Sequence, residues 1–339
     1  MGNKKKVYNS IDLFKFIAAM LVVAVHTHPF ADTGADYYFT CLCRIAVPFF
    51  FVATSYFFFR RPEPDIRAYT KRLGTIYVLW LLLELPWVYE RFFVSFDHSF
   101  PLQILNFFRC LVFSNTWWAS WFIMASMIAV SIVYFLSRRC RWRNGSLLAL
   151  AGVGYLISLT AAGYYGFADL FLNERMQFYH KAFTWCFCPA NSFVVALIYV
   201  VFGKVLAESD WEKWRICGSG WKTALLLLLF FAIGFVEVHY MRWSVLVTDA
   251  WVFLPPLAMA GFVLLLQTDL KINAKFARWM RDVSILVYIL HSIFQYANKK
   301  IFGMADGGPM FVWTVAESLA CASLIILLSK KISFLKKLY

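Results

Sequence analysis

The first long apolar stretch of the chain carries ionisable side chains where a membrane would exclude them. Residues 11–30 are almost wholly apolar, yet they include Asp12, Lys15 and His26. Ionisable groups within a spanning helix are costly, so they usually face a protein interior and mark a functional path. A histidine in such a place can accept a proton from a hydroxyl group, or can hold and release an acyl group. His26 is therefore the leading candidate for a catalytic residue, and a structural histidine bonded to its neighbours is the alternative.

Lys15 and His26 share one face of the helix that this stretch predicts. Eleven residues correspond to a rotation of about 1100°, which is about 20° net, and to a rise of about 16 Å. The two side chains therefore point the same way at different depths. Asp12 lies close to the same stripe and can pair with Lys15 three residues later. Lys15 could instead extend its ammonium to the inner headgroups.

Arg44 lies near the outer end of the second apolar stretch, at a depth comparable to that of His26. Its guanidinium could stabilise an oxyanion that develops during a reaction, or the negative charge of an acceptor. Alternatively, it could form an ion pair with an outer acidic residue such as Asp32 or Asp36.

Glu84 lies in the middle of the third apolar stretch, where water is not expected. It could orient His26 or take its proton, as acid–base pairs do. It could also be protonated and merely packed, because burial favours the neutral carboxyl group. Pro86 follows two residues later and predicts a kink in this helix.

Two late groups of residues complete the candidate set. Ser284, Tyr288 and His291 are spaced to lie on one helix face, which predicts either a cavity lining or a polar contact between helices. Trp117 and Trp118 lie at the predicted start of a helix near the outer interface. They could form an aromatic belt or a platform for a sugar ring.

These residues require a membrane bundle to position them. The chain of 339 residues is 61% hydrophobic, 20% aromatic and only 15% charged, and its mean hydropathy is +0.64. Such a chain cannot cover a soluble globule with polar surface. We predict an all-α, polytopic membrane protein of ten spans in a single domain over 1–339, with a tail at 1–10, helices over 11–329 and a basic tail at 330–339. The predicted spans are 11–30, 39–59, 73–90, 117–136, 146–163, 183–203, 222–238, 247–267, 283–302 and 309–329.

The distribution of basic residues predicts the orientation of these spans. With both termini cytoplasmic, the inner segments hold 24 of the 33 Lys and Arg residues, as the positive-inside rule requires. The net charge of +14 therefore indicates topology, and no nucleic-acid partner is expected. The basic loop at 60–72 could still attract an anionic cytosolic ligand or anionic lipid. No metal site is expected, because the two Cys-x-Cys pairs lie in apolar helices with unsuitable spacing.

Several segments, in order along the chain, resemble acyltransferase family 3, a family of integral-membrane O-acyltransferases that modify surface glycans. The first is the helix in which a basic residue precedes a histidine by eleven positions. The others are CRIAVPFFFVATSYFFF (43–59), RAYTKRLGTIYVLW (67–80), TWWASWFIMASM (116–127), NSFVVALIYVVFGKVLAE (191–208) and DVSILVYILHSIF (282–294). Lys15 stands where the family usually has arginine, and Tyr56 stands where Ser-Gly is common.

The resemblance implies a bacterial cytoplasmic-membrane enzyme that transfers acetyl from acetyl-CoA to a hydroxyl of an envelope glycan or a lipid-linked sugar. It implies His26 as general base or acyl relay, with Arg44 and His291 as further catalytic residues, and Glu84 joins them as a candidate from its position in the third apolar stretch. The residues expected near the donor are Lys15, Arg67, Lys71 and Arg72, and those expected near the acceptor are Ser284, Tyr288, Trp117 and Trp118. Membrane lipid, acyl-CoA and the acceptor are the expected partners. The alternatives are a transporter of a glycan precursor or small amino acid, and a non-catalytic membrane subunit.

Overall fold

The computed structural model describes residues 8–117, 120–213, 219–268 and 270–339. Every regular element within these ranges is helical, which confirms the predicted all-α class. The α-helices are α1 (Asn9–Thr27), α2 (Asp36–Cys43), α3 (Ala46–Phe59), α4 (Ile66–Leu83), α5 (Leu85–Tyr89), α6 (Phe100–Phe113), α7 (Ser120–Arg138), α8 (Asn144–Thr160), α9 (Tyr165–Asp169), α10 (Glu174–Phe187), α11 (Phe193–Glu208), α12 (Gly220–Met241), α13 (Leu254–Gln267), α14 (Ala274–Phe302) and α15 (Gly308–Leu328). Glu90–Val94 forms a π-helical turn, and four short 3₁₀ turns are Pro189–Asn191, Trp211–Lys213, Arg242–Ser244 and Ser333–Leu338.

Each of the ten predicted spans overlaps a helix, but fewer helices are long and apolar enough to cross a membrane. Within the described ranges six meet that requirement, or seven if a bent pair counts as one span. The six are Asn9–Thr27, Asp36–Phe59, Ser120–Arg138, Glu174–Glu208, Gly220–Ser244 and Gly308–Leu328. The multi-pass character is thus confirmed, whereas the count of ten and the orientation of the termini stay predictions.

Two of the spans are broken at candidate residues. Helix α2 ends at Cys43, and a turn of two residues that begins with Arg44 separates it from α3. Pro48 explains the position of this break, because proline has no N–H to donate to the carbonyl of Arg44 four residues earlier. The other break lies at Glu84, where Ile66–Leu83 and Leu85–Val94 meet at a bend of 73°. The kink predicted from Pro86 is therefore confirmed.

The packing of α1, α3, α11 and α14 forms the core that holds the candidate residues. Helices α3 and α11 approach very closely at Gly203, where the Ser55 hydroxyl nearby donates to the carbonyl of Val200 (2.5 Å). Helix α1 packs along α14 on one side and α3 on another. The face of α1 that carries Lys15 and His26 therefore contacts both neighbours. Lys15 lies over Phe57 of α3, and His26 lies against His291 of α14.

Candidate active site

His26 and His291 stack on each other inside the bundle. His26 lies in the last turn of α1, and His291 lies in the middle of α14. Their ring centroids are 5.2 Å apart, and the ring planes differ by 23°. His291 is completely buried, whereas His26 is partly exposed. Of the described residues, none forms a well-directed hydrogen bond with either ring nitrogen of His291, although the carbonyls of Val287 and Tyr288 lie one turn back on its own helix.

A small cavity lies beside His26. Its volume is about 20 Å³, which is close to the space that one water molecule needs. Its lining comes from α1, α3, α7, α14 and the break after α2, and comprises Val22, Val25, His26, Cys43, Arg44, Ala46, Val47, Trp121 and Tyr288. The cavity has room for little more than a water molecule beside His26, which itself remains partly exposed.

Arg44 faces this cavity and forms an ion pair that sequence reasoning assigned to other acids. Its Nη1 donates to Oδ1 of Asp249, while its Nε is buried and has no hydrogen-bond partner in the described part of the chain. The predicted alternative partners Asp32 and Asp36 were wrong. Asp36 instead accepts from Nδ1 of His28 (2.8 Å), because the αL conformation of His28 at the end of α1 turns the chain towards it. Arg44 thus reaches the site with one N–H group unpaired.

Glu84 is buried at the bend between α4 and α5, and it contacts α14. The hydroxyl of Ser292 donates to its carboxylate (2.7 Å). Ser292 immediately follows His291, so Glu84 is attached to the helix that carries the buried histidine. That Glu84 orients His26 stays a prediction.

Two of the three residues on the predicted α14 face reach the site. Tyr288 lines the cavity, and its ring packs against those of Phe50 and Phe122 at centroid distances of 5.9 and 5.4 Å. His291 lies against His26. Ser284 instead donates its hydroxyl to the carbonyl of Arg281 (2.8 Å), a contact within its own helix.

The predicted tryptophan surface is wrong at Trp117. This residue is fully buried and packs against Tyr77 at a ring distance of 4.9 Å, so it offers no face to a sugar or to the membrane interface. It lies just before α7, where its carbonyl accepts a hydrogen bond from the Ser120 hydroxyl. Trp118 lies outside the described residues. Trp121, one turn further along, is the tryptophan that reaches the cavity.

The N-terminal half of α1 carries a separate charged cluster. Lys15 Nζ lies 3.8 Å from Asp12, as the i, i+3 spacing predicted, and Asp12 also faces Arg281 at 4.0 Å. The ammonium of Lys15 lies 5.0 Å from the centre of the Phe57 ring. Three further cations expected near the donor are exposed on the first turns of α4, namely Arg67, Lys71 and Arg72.

Sequence reasoning missed two residues that hold this site together. Asp249 pairs with Arg44, and its position inside the predicted span 247–267 was the available indication, because a charge there needs a partner. Gln295 is completely buried and donates to the main-chain carbonyl of His26. It lies one turn beyond His291, so it extends the same polar face of α14. Among the described residues, no group of three or more His, Cys, Asp or Glu could hold a metal ion.

Comparison with known proteins places this arrangement in a family. The chain is 27% identical to an amino-acid racemase of Enterococcus faecalis, over 97% of its own length and 47% of that protein. It is 31% identical to a second amino-acid racemase of the same organism, over 61% of its own length and 29% of that protein. It is 25% identical to a serine/alanine racemase of Enterococcus gallinarum over 83% of its own length and 40% of that protein. The chain thus spans less than half the length of these curated relatives. No solved structure matches it. A family profile described as an acyltransferase domain matches residues 8–329, and the chain therefore belongs to acyltransferase family 3.

Proposed function

We propose that this protein is a membrane O-acyltransferase that transfers acetyl from acetyl-CoA to a hydroxyl of an envelope glycan or a lipid-linked sugar. The observation that carries the proposal is that His26 and Arg44 line one cavity, with His291 stacked on His26, within the bundle of a family 3 acyltransferase. A proton acceptor and a cationic side chain with an N–H group left to donate are what acyl transfer to a hydroxyl needs.

In this mechanism His26 removes the proton of the acceptor hydroxyl as its oxygen attacks the thioester carbonyl. The negative charge that develops on the carbonyl oxygen is stabilised by Arg44, whose Nε–H is unpaired within the described chain. Collapse of this intermediate breaks the carbon–sulfur bond, and the departing thiolate recovers the proton from His26. Alternatively, His26 first attacks the thioester carbonyl and takes the acetyl group as the carbon–sulfur bond breaks and CoA thiolate leaves. The acceptor hydroxyl then attacks the acetylated ring, which is released, and the proton of the hydroxyl passes to the thiolate.

His291 would act on His26 and not on the substrate. It is completely buried behind the His26 ring, and its stacking restricts the orientations that this ring can adopt. The small volume of the cavity would leave room for little water beside the thioester, which limits its hydrolysis.

The charged cluster in the N-terminal half of α1 would hold the anionic end of the donor. Lys15 lies about 16 Å along the helix from His26, since they are eleven residues apart. The extended pantetheine arm of acetyl-CoA would cross this depth, with its phosphates near Lys15 and the exposed Arg67, Lys71 and Arg72. Cytosolic entry of the donor and an acceptor at the outer end of the bundle follow from the predicted topology.

The test of this function uses purified full-length protein in nanodiscs. Binding of acetyl-CoA and release of CoA thiol are measured for the wild type, for His26→Ala and for the matched control His28→Ala, whose side chain is exposed and bonded to Asp36. We expect thiol release from the wild type and the control, and its loss in folded His26→Ala. Absence of acetyl-CoA binding by the wild type would contradict the proposal.

A second candidate function is transport of a small amino acid. Two observations favour it, namely the amino-acid racemase names of the relatives and the sharp break of a span at a buried carboxylate. Discontinuous helices are a common way to build a transport site in the middle of a membrane. Uptake of L-serine or L-alanine into proteoliposomes, without release of thiol from acetyl-CoA, would place this candidate first.

A further inference from the structure

Arg44 depends for its position on a segment that lies far from it in the chain. Residues 248–253 connect the short turn after α12 to the start of α13, and they carry Asp249. The ion pair uses only Nη1 of Arg44. Arg44 lies at the two-residue turn between α2 and α3, and its side chain is anchored there by the ion pair with Asp249.

Two buried side chains hold this segment from different helices. The hydroxyl of Tyr155 on α8 donates to the carbonyl of Trp251 (2.7 Å) and lies 3.3 Å from its amide nitrogen. The carboxylate of Glu237 on α12 accepts hydrogen bonds from the amides of Val252 (2.7 Å) and Phe253 (2.9 Å). A carboxylate that accepts two adjacent main-chain N–H groups fixes both the position and the direction of the chain.

The same segment is enclosed by close packing. Trp251 is completely buried, and a Cβ atom at Gly163 would lie only 2.9 Å from its ring. The indole of Trp251 also donates to the carbonyl of Thr248 (3.0 Å), which closes the turn around Asp249. The segment therefore has little freedom to move, and Asp249 is presented to Arg44 at a fixed place.

We infer that Asp249 is a positioning residue for acyl transfer. It holds Arg44 by Nη1, so that the Nε–H of Arg44 is left for the reacting carbonyl oxygen. Glu237 and Tyr155 in turn hold Asp249 in place. This inference rests on the proposed function, because the oxyanion belongs to that reaction. Loss of the Asp249 charge would leave the guanidinium free to turn away, while the residues near the donor would be unaffected.

The first test compares kcat and KM for acetyl-CoA, from thiol release in nanodiscs, among four forms of the full chain. Asp249→Asn removes the charge at nearly constant size, Asp249→Glu restores it, and Asp32→Asn is a control acid that is exposed near the same end of the bundle. We expect kcat to fall by about 10- to 100-fold in Asp249→Asn with KM changed by less than about threefold, and Asp249→Glu to recover part of it. Asp32→Asn should match the wild type. An unchanged kcat in folded Asp249→Asn would overturn the inference.

A second measurement does not depend on activity. Phenylglyoxal modifies accessible guanidinium groups, and the modified peptide that contains Arg44 is quantified by mass spectrometry. We expect faster modification of Arg44 in Asp249→Asn, and to a smaller extent in Glu237→Gln, than in the wild type. If the wild type releases no thiol, the proposed function fails. Equal modification rates of Arg44 in all forms would overturn its positioning by Asp249, whether or not thiol is released.

Discussion

Gly203 lies at the closest approach of two helices, and its replacement by alanine gives a sharp test of the packing. An added Cβ would lie 2.5 Å from the carbonyl oxygen of Val52, 2.8 Å from Cβ of Ser55 and 2.9 Å from the amide nitrogen of Tyr56. Two of these three atoms belong to the backbone of α3, so no side-chain rotation can relieve the clash. Helices α3 and α11 must separate.

The expected cost of Gly203→Ala follows from this geometry. Overpacking of a well-packed interior costs about 1–3 kcal/mol, and a backbone clash belongs at the upper end of that range. A destabilisation of this size lowers the melting temperature by roughly 2–4 °C per kcal/mol in domains of moderate size. The matched control is Gly152→Ala in α8, where nothing lies within 4 Å of the added Cβ. Because alanine forms helices better than glycine, this control should be neutral or slightly stabilised.

The assay is thermal unfolding of both variants in detergent, followed by tryptophan fluorescence and by the fraction that remains monodisperse. We expect Gly203→Ala to melt several degrees below the wild type and Gly152→Ala to melt at or above it. Because α3 begins just beyond Arg44, we also expect Gly203→Ala to lose activity. Equal melting temperatures of the two variants would refute the close packing of α3 on α11.

Three further predictions test the topology, the donor site and the bend. Cys140 is the exposed cysteine among the seven that the structure describes, and the predicted topology places it on the cytoplasmic side. An impermeant maleimide should therefore label Cys140 only in permeabilised cells. Labelling of Cys140 in intact cells would contradict this orientation. Lys15→Ala should weaken acetyl-CoA binding about tenfold, as loss of about 1.4 kcal/mol requires, and unchanged binding in a titration would exclude its contact with the donor. Ser292→Ala removes the hydrogen bond to buried Glu84 and should cost about 1–3 kcal/mol in thermal unfolding, whereas Ser131→Ala, which loses only a contact within its own helix, should cost less.

The sequence predicts the features that depend on the geometry of a single helix, such as its faces, its bends and its close ion pairs. The spacing of Lys15 and His26 identified one face of α1, and Pro86 identified the bend after Glu84, because both depend on helix geometry alone. The ion pair of Lys15 with Asp12 followed in the same way from their spacing. Each of these features is local, and each appears in the structure.

Contacts between distant segments were not available from the same reasoning. The alternative to a catalytic role for Arg44 was an ion pair with an acid such as Asp32 or Asp36, which are near in sequence. Its partner Asp249 lies 205 residues away. Trp117 was assigned to a surface because tryptophan is frequent at membrane interfaces, yet packing against Tyr77 buries it. The pairing of His26 with His291 likewise depends on how α1 meets α14, which periodicity does not determine.

We propose that His26, which lines the cavity with Arg44 and stacks on His291, transfers acetyl from acetyl-CoA to an acceptor in the cell envelope. The most direct measurement supplies radiolabelled acetyl-CoA to membranes that contain the wild type, His26→Ala or His28→Ala at equal amounts, and counts label in the glycan and lipid-linked sugar fractions. The claim predicts alkali-labile label with the wild type and His28→Ala, and background label with His26→Ala. Equal label with His26→Ala, or background label with the wild type, would contradict it.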